Sequence, residues 1–184
     1  MKKLGWFGRL WLTRLSQPSG ERVVHRGVLQ RQPKRILELG LGTLRRTERM
    51  LSLLQAHGGD RVEYVGLDRF EGRLSTDPPG VTLKQAHQRL HGSGRVQLVP
   101  GNVDTSLARL CNHLGVFDLV LVAADNDPRH LERGWFFVQR VVNERTMVLV
   151  ESVDGGAAGR PVWKAMDKRR IDELAARTIQ RRAA

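Results

Sequence analysis

Five short apolar runs, spaced by stretches long enough for helices, limit most severely what this chain can fold into. They are Arg35–Leu39, Val62–Leu67, Val96–Val99, Leu119–Val122 and Met147–Val150. Most do not alternate strongly with polar residues, the pattern of strands buried on both faces of a parallel sheet. The intervening segments carry helix signals. Leu44 to His57 is stopped by Gly58-Gly59, and Thr82 to His91 by Gly92. Thr105 to Leu114 follows the third run. A further helix opens at Asp127-Pro128, where Asp can cap and Pro suits the first helical position, and its Leu131, Trp135, Val138 and Val142 share one face. Repeated β-α-β units with right-handed crossovers predict an α/β fold: a doubly wound, mostly parallel sheet with helices on both faces.

The ends differ from this centre. Residues 1–35 hold nine Lys/Arg and one acid, residues 160–184 hold eight and three, and the middle holds fourteen and fifteen. The formal charge of +12 therefore sits on the two ends. Three segments are expected: a basic amphipathic N-terminal helix and linker (1–19), a cofactor-binding domain (20–160) and a basic C-terminal helix (161–184). In the first, Leu4, Phe7, Trp11 and Leu15 have helical spacing, and Ser16 to Gly20 reads as a linker. A second helix spans Glu21 to Arg31. In the last, Trp163, Met166, Ile171 and Leu174 are expected to face inward. The basic ends can meet nucleic acid or an anionic membrane surface, or serve only as solvated helix faces. The N-terminal helix can also serve a homodimer. No run approaches the roughly 20 apolar residues that span a bilayer, and Arg9 interrupts the only signal-like stretch, so a cytoplasmic location is expected by default. The lone Cys111 excludes an internal disulfide and reads as a small buried hydrophobe.

Ligands of such sheets bind beyond the carboxyl ends of the strands, where strand order reverses. The first strand ends Ile36-Leu37-Glu38-Leu39-Gly40-Leu41-Gly42-Thr43, and two glycines at a strand-to-helix turn let backbone approach a ligand closely. The nicotinamide fingerprint fails, because Arg45 stands at its third glycine. The second strand ends at Leu67-Asp68, where an acid can accept both hydroxyls of a ribose.

These residues resemble the class I S-adenosylmethionine-dependent methyltransferases, over roughly Arg35 to Val153. The resemblance places Glu38 near the methionine-end amine of S-adenosylmethionine, with Gly40, Leu41 and Gly42 against the cofactor. It places Asp68 on the ribose, followed by Arg69. Val99 to Asp104 resembles the loop after strand three, with Val103 near adenine and Asn102 or Asp104 at its amino group. Phe117 to Val122 resembles strand four, leading to Asp125.

The flavour is closest to small-molecule O-methyltransferases, with departures. Leu44 stands where the family often has a further glycine. Ala123 replaces the first acid of the metal-dependent members' Asp-x-Asp, and Glu151-Ser152 replaces their Asp-Asn, so no metal site is expected. The family's closing hairpin is expected to be shortened or missing, with Gly155 to Gly159 in its place. The implied activity is methyl transfer to a small acceptor, which needs chiefly orientation, plus a base if the acceptor is a hydroxyl. Asp125 and His130 are the candidates for that role. The plainer alternatives are helix capping for Asp125 and a solvent-facing helical turn for His130. The competing function is a catalytically degenerate domain whose basic ends bind nucleic acid or a membrane surface.

Overall fold

The computed structural model describes residue 8 and residues 10–58, 62–153 and 161–183, with no side-chain detail beyond residue 180. Six strands form one sheet: β1 (Arg35–Leu39), β2 (Glu63–Asp68), β3 (Arg95–Pro100), β4 (Leu119–Val122), β5 (Met147–Val153) and β6 (Pro161–Met166). Their order is β3-β2-β1-β4-β5-β6. The first five run parallel, and β6 pairs antiparallel with β5. Among the described residues the helices that pack on the sheet are α1 (Glu21–Arg31), α2 (Arg45–Gln55), α3 (Leu83–Leu90), α4 (Val103–Leu114), α5 (Pro128–Val138) and α6 (Lys168–Ala183).

Alternation along the strands divides the core into two layers. Ile36, Tyr64, Leu119, Leu121, Leu149 and Trp163 face α1, α2 and α3, meeting Val28, Met50, Leu51 and Leu90. Leu37, Leu39, Val65, Leu67, Val120 and Val122 face the other way, meeting Leu107, Trp135, Val138 and Ile171 of α4, α5 and α6. Both faces of the central strands are covered for that reason, which is why β4 reads as a continuous apolar run and β1 is interrupted inside only by Glu38. Cys111 is buried in the second layer, as expected. Trp135 is buried there too, and Phe137 packs against it from the rim.

Three expectations are corrected. The segment from Pro161 to Met166 is strand, not helix, and the basic tail becomes helical only from Lys168. Its edge is completed by β5, through pairs such as Glu151 with Trp163, a non-local partner that the helix-like spacing of Trp163, Met166 and Ile171 conceals. Among the described residues one antiparallel strand, β6, follows β5; Gly155 to Gly159 lie outside the described residues. Near the N-terminus, Trp11–Leu15 forms a π-type turn, which is wider than an α-turn and changes which side chains face in. Leu12 is buried, whereas Trp11 and Leu15 are 45% and 63% exposed. Leu4 and Phe7 lie outside the described residues. The 16–20 stretch is also more than a linker. Ser16 is buried with its hydroxyl donating to Leu12 O, and Gln17 O accepts from Arg49.

Candidate cofactor site

Strand order reverses between β1 and β4, and the ends of these strands meet. Asn126 joins them: its side-chain amide donates to Leu39 O (2.7 Å) and Ala123 O (2.8 Å). Gly40, at φ +84°, lies flush against this junction. A Cβ there would stand 2.4 Å from Asp125 Oδ1 and 2.9 Å from Asn126 Nδ2, so any other residue is strained by this φ and must also displace those side-chain ends. Leu44, at φ +66°, initiates α2 in the left-handed region, fully buried. A leucine is strained in that conformation, which accounts physically for a glycine being common at this position of the resembled family.

Asp68 fixes the turn that follows β1. Its Oδ2 accepts from the backbone of Leu41 (2.7 Å) and Gly42 (3.3 Å), and its Oδ1 from the backbone of Phe70 (2.8 Å). Arg73 completes the arrangement. Its Nε donates to Asp68 Oδ1 (3.0 Å), its Nη2 to Asp68 Oδ2 (2.6 Å) and Asp125 Oδ2 (2.8 Å), and its Nη1 to Pro78 O (3.1 Å). Burial works against the charged guanidinium, but the bonds to Asp68 and Asp125 hold its pKa above the ordinary arginine value. Arg69 turns away to pair with Asp77 at 2.8 Å. The cleft bounded by Gly40, Asp68, Arg73, Asn102, Asp125 and His130 retains about 10 Å³ of free space, room for one water.

Glu38 lies on the face of β1 opposite Leu37 and Leu39, wholly buried among α2 and β2 rather than open to the cleft. It accepts from Arg46 Nε (2.8 Å), Thr47 Oγ1 (2.8 Å) and the Tyr64 hydroxyl (2.7 Å). A Cβ on Gly66 would stand 2.9 Å from the Tyr64 hydroxyl, so this glycine is what lets the ring run along β2 to reach Glu38. Burial, with the Glu38 charge beside it, pushes the Tyr64 hydroxyl well above its ordinary pKa and keeps it a donor. Arg46 also donates to Gly40 O (2.8 Å) and stacks over Trp163 at 4.7 Å. Glu38 therefore braces the glycine turn from behind, with its oxygens committed to protein donors.

The loop after β3 leads directly into α4, two residues earlier than the sequence suggests. Asn102 occupies the cap position in extended conformation, and its side chain makes no cap hydrogen bond. Val103 is buried against α5, where a Cβ on Gly134 would meet its Cγ1 at 2.5 Å. Both Asp104 oxygens are taken, Oδ1 by His130 Nδ1 and Oδ2 by Arg133 Nε, each at 2.7 Å. Against the burial that would raise it, the bonds from Arg133 and His130 hold the Asp104 carboxyl below the usual range. Arg133 Nη2 also lies 2.9 Å from His130 Nδ1, so this ring nitrogen stands between the Asp104 carboxylate and the Arg133 guanidinium.

Asp125 does not cap α5. Asp127 does so, accepting from the backbone of Arg129 and His130. Asp125 Oδ1 is instead buried without a hydrogen-bond partner among the described residues. Glu151 accepts from the Ala124 backbone and lies 3.9 Å from Arg46. Among the described residues no three His, Cys, Asp or Glu side chains are gathered as a metal site requires. The site thus unites Gly40, Leu41, Gly42, Asp68, Asn102, Asp125 and His130, and sets Glu38 behind it. Sequence reasoning missed Arg46, Thr47, Tyr64 and Arg73, whose carboxylate partners lie on other elements of the fold.

No family model matches the chain, and no curated protein matches its sequence. Solved structures do match. An O-methyltransferase of Streptomyces achromogenes involved in tomaymycin synthesis, crystallised with S-adenosylmethionine, superposes with TM-score 0.57 at 20% identity, over 91% of this chain and 69% of that one. The chain has the class I methyltransferase fold. A Podospora anserina methyltransferase bound to S-adenosylhomocysteine superposes with TM-score 0.54 at 18% identity, over 94% and 76% of the two chains. An O-methyltransferase family protein of Burkholderia thailandensis gives TM-score 0.53 at 20% identity over 82% of this chain, which spans only 41% of that protein.

Proposed function

We propose that the protein is an S-adenosylmethionine-dependent methyltransferase acting on a small-molecule acceptor. The observation that carries this reading is Asp68 at the strand-order reversal, holding the Leu41 and Gly42 amides and facing the cleft beside the crowded Gly40. The residues fit the cofactor. Asp68 is an acceptor for ribose hydroxyls, the unpartnered Asp125 Oδ1 is an acceptor for a cationic group, and the Asn102 side chain is open to an adenine edge. S-adenosylmethionine, when bound, supplies a methyl group already activated on a sulfonium. What remains for the chain is orientation and, for a hydroxyl acceptor, removal of a proton. On this reading His130 is the proton acceptor, and Asp104 and Arg133 are positioning residues that hold its ring.

A second reading keeps the fold without the chemistry, the basic ends then binding an anionic surface. The narrow cleft behind Arg73 favours it. Equilibrium dialysis with methyl-labelled S-adenosylmethionine separates the two. The methyltransferase reading expects saturable binding by the wild type, lost in Asp68→Ala and kept in His130→Ala. Absence of binding at millimolar ligand would contradict it.

A further inference from the structure

Asp68 is saturated. A carboxylate offers about four lone-pair sites, and five donors already converge on this one: the Leu41, Gly42 and Phe70 amides, and two nitrogens of Arg73. The three amides belong to the turns that build the site. The guanidinium comes from the stretch between the short 3₁₀ turn Phe70–Gly72 and α3, and is the one ligand of Asp68 on a free-standing side chain. With five donors on two oxygens, Asp68 has no lone pair left for a ribose hydroxyl while the guanidinium stays. A diol reaches Asp68 only by taking the place of Arg73.

The same guanidinium spans to Asp125, whose other oxygen has no partner. Two carboxylates, Asp68 and Asp125, thus face one cation. Arg69 adds little to this balance because it is paired with Asp77. Once Arg73 leaves, the pair has an excess of negative charge in a partly desolvated cleft, where charge complementarity weighs more than in water. A ligand of net positive charge compensates it better than one whose charges sum to zero. The seat of Arg73 is fitted as well. Gly80 lies against the side chain, and a Cβ there would stand 2.4 Å from Nε and 2.7 Å from Cδ.

Resting on the cofactor reading above, we propose that Arg73 is an internal competitor for the cofactor site, an affinity-determining residue that a cationic ligand displaces from Asp68 and Asp125. The site then favours S-adenosylmethionine, which carries a sulfonium, over its demethylated product, which does not. Occupancy by Arg73 lowers apparent affinity by the fraction of molecules in which the site is open. Removing the guanidinium removes that factor.

Calorimetric titration of the wild type, Arg73→Ala and Gly80→Ala with S-adenosylmethionine and with S-adenosylhomocysteine tests this. Gly80→Ala unseats Arg73 while leaving both carboxylates in place, so the proposal does not depend on one variant folding. Both variants are expected to bind S-adenosylmethionine at least tenfold tighter than the wild type. S-adenosylhomocysteine is expected to gain by a similar factor, because the competing guanidinium is displaced by either ligand. Affinities within twofold of the wild type, or weaker, in both variants would overturn the proposal and leave the cofactor reading standing. No binding of either ligand by any of the three proteins would overturn both.

Discussion

Acid sensitivity of the fold should trace largely to His25. This residue of α1 is fully buried, with Nδ1 3.1 Å from Leu12 O and Nε2 without a partner among the described residues. Burial, reinforced by Arg49 and Arg46, lowers its pKa from 6.5 to about 4. The unfolded chain takes up a proton near pH 6.5 and the folded protein does not until about pH 4. The stability is therefore fully present above pH 6.5 and is lost as pH falls between those values. Each pH unit in that window removes about 1.4 kcal/mol, so about 2 kcal/mol is gone by pH 5 and about 3 kcal/mol at the lower limit. Against a total of roughly 5–15 kcal/mol for a folded domain, that is a large share. Urea denaturation at several pH values from 5 to 7.5 measures it, with His25→Asn as the reference, since its amide can still donate to Leu12 O but does not titrate. The wild type should lose about 2 kcal/mol more than the variant across this range. Parallel losses in the two proteins would refute the assignment.

Two substitutions test the scaffold behind the site. Tyr64→Phe withdraws one donor from the buried Glu38 carboxylate and should cost about 2 kcal/mol, as expected for a hydrogen bond to a charged acceptor; a loss under about 0.5 kcal/mol, read from denaturant midpoints, would mean Arg46 and Thr47 suffice. Leu44→Gly relieves about 1–2 kcal/mol of left-handed strain but empties a buried leucine site worth about 2–5 kcal/mol. Net destabilisation of about 2 kcal/mol is expected, and a more stable variant by thermal unfolding would show that strain outweighs packing.

Where the sequence was readable, local pattern and tertiary demand agreed. β1 and β4 lie where their apolar runs do, because both of their faces are covered. The helix starting at Pro128 begins where Asp127 and Pro128 indicate, and Thr82 forms a full capping box with Gln85. Gly40, Gly42 and Asp68 converge because the turn after β1 and the end of β2 are adjacent in any sheet of this order. Elsewhere tertiary partners decide what local pattern does not show. Pro161–Met166 is a strand because β5 lies beside it. Glu38 is an internal brace because Tyr64, on the next strand, and Thr47, on the next helix, aim at it. Arg73 stands in a turn-rich stretch with no periodicity to mark it, and its role depends on Asp125, 52 residues away.

The account centres on S-adenosylmethionine binding at the end of β1, and backbone amide shifts in a nuclear magnetic resonance titration with that ligand test it most directly. The amides of Leu41 and Gly42, which bond to Asp68, and those of Asn102 and Val103, which open α4, should show the largest saturable changes. Unchanged amides at these positions under millimolar ligand, or shifts clustered on α1 and α6 instead, would contradict it.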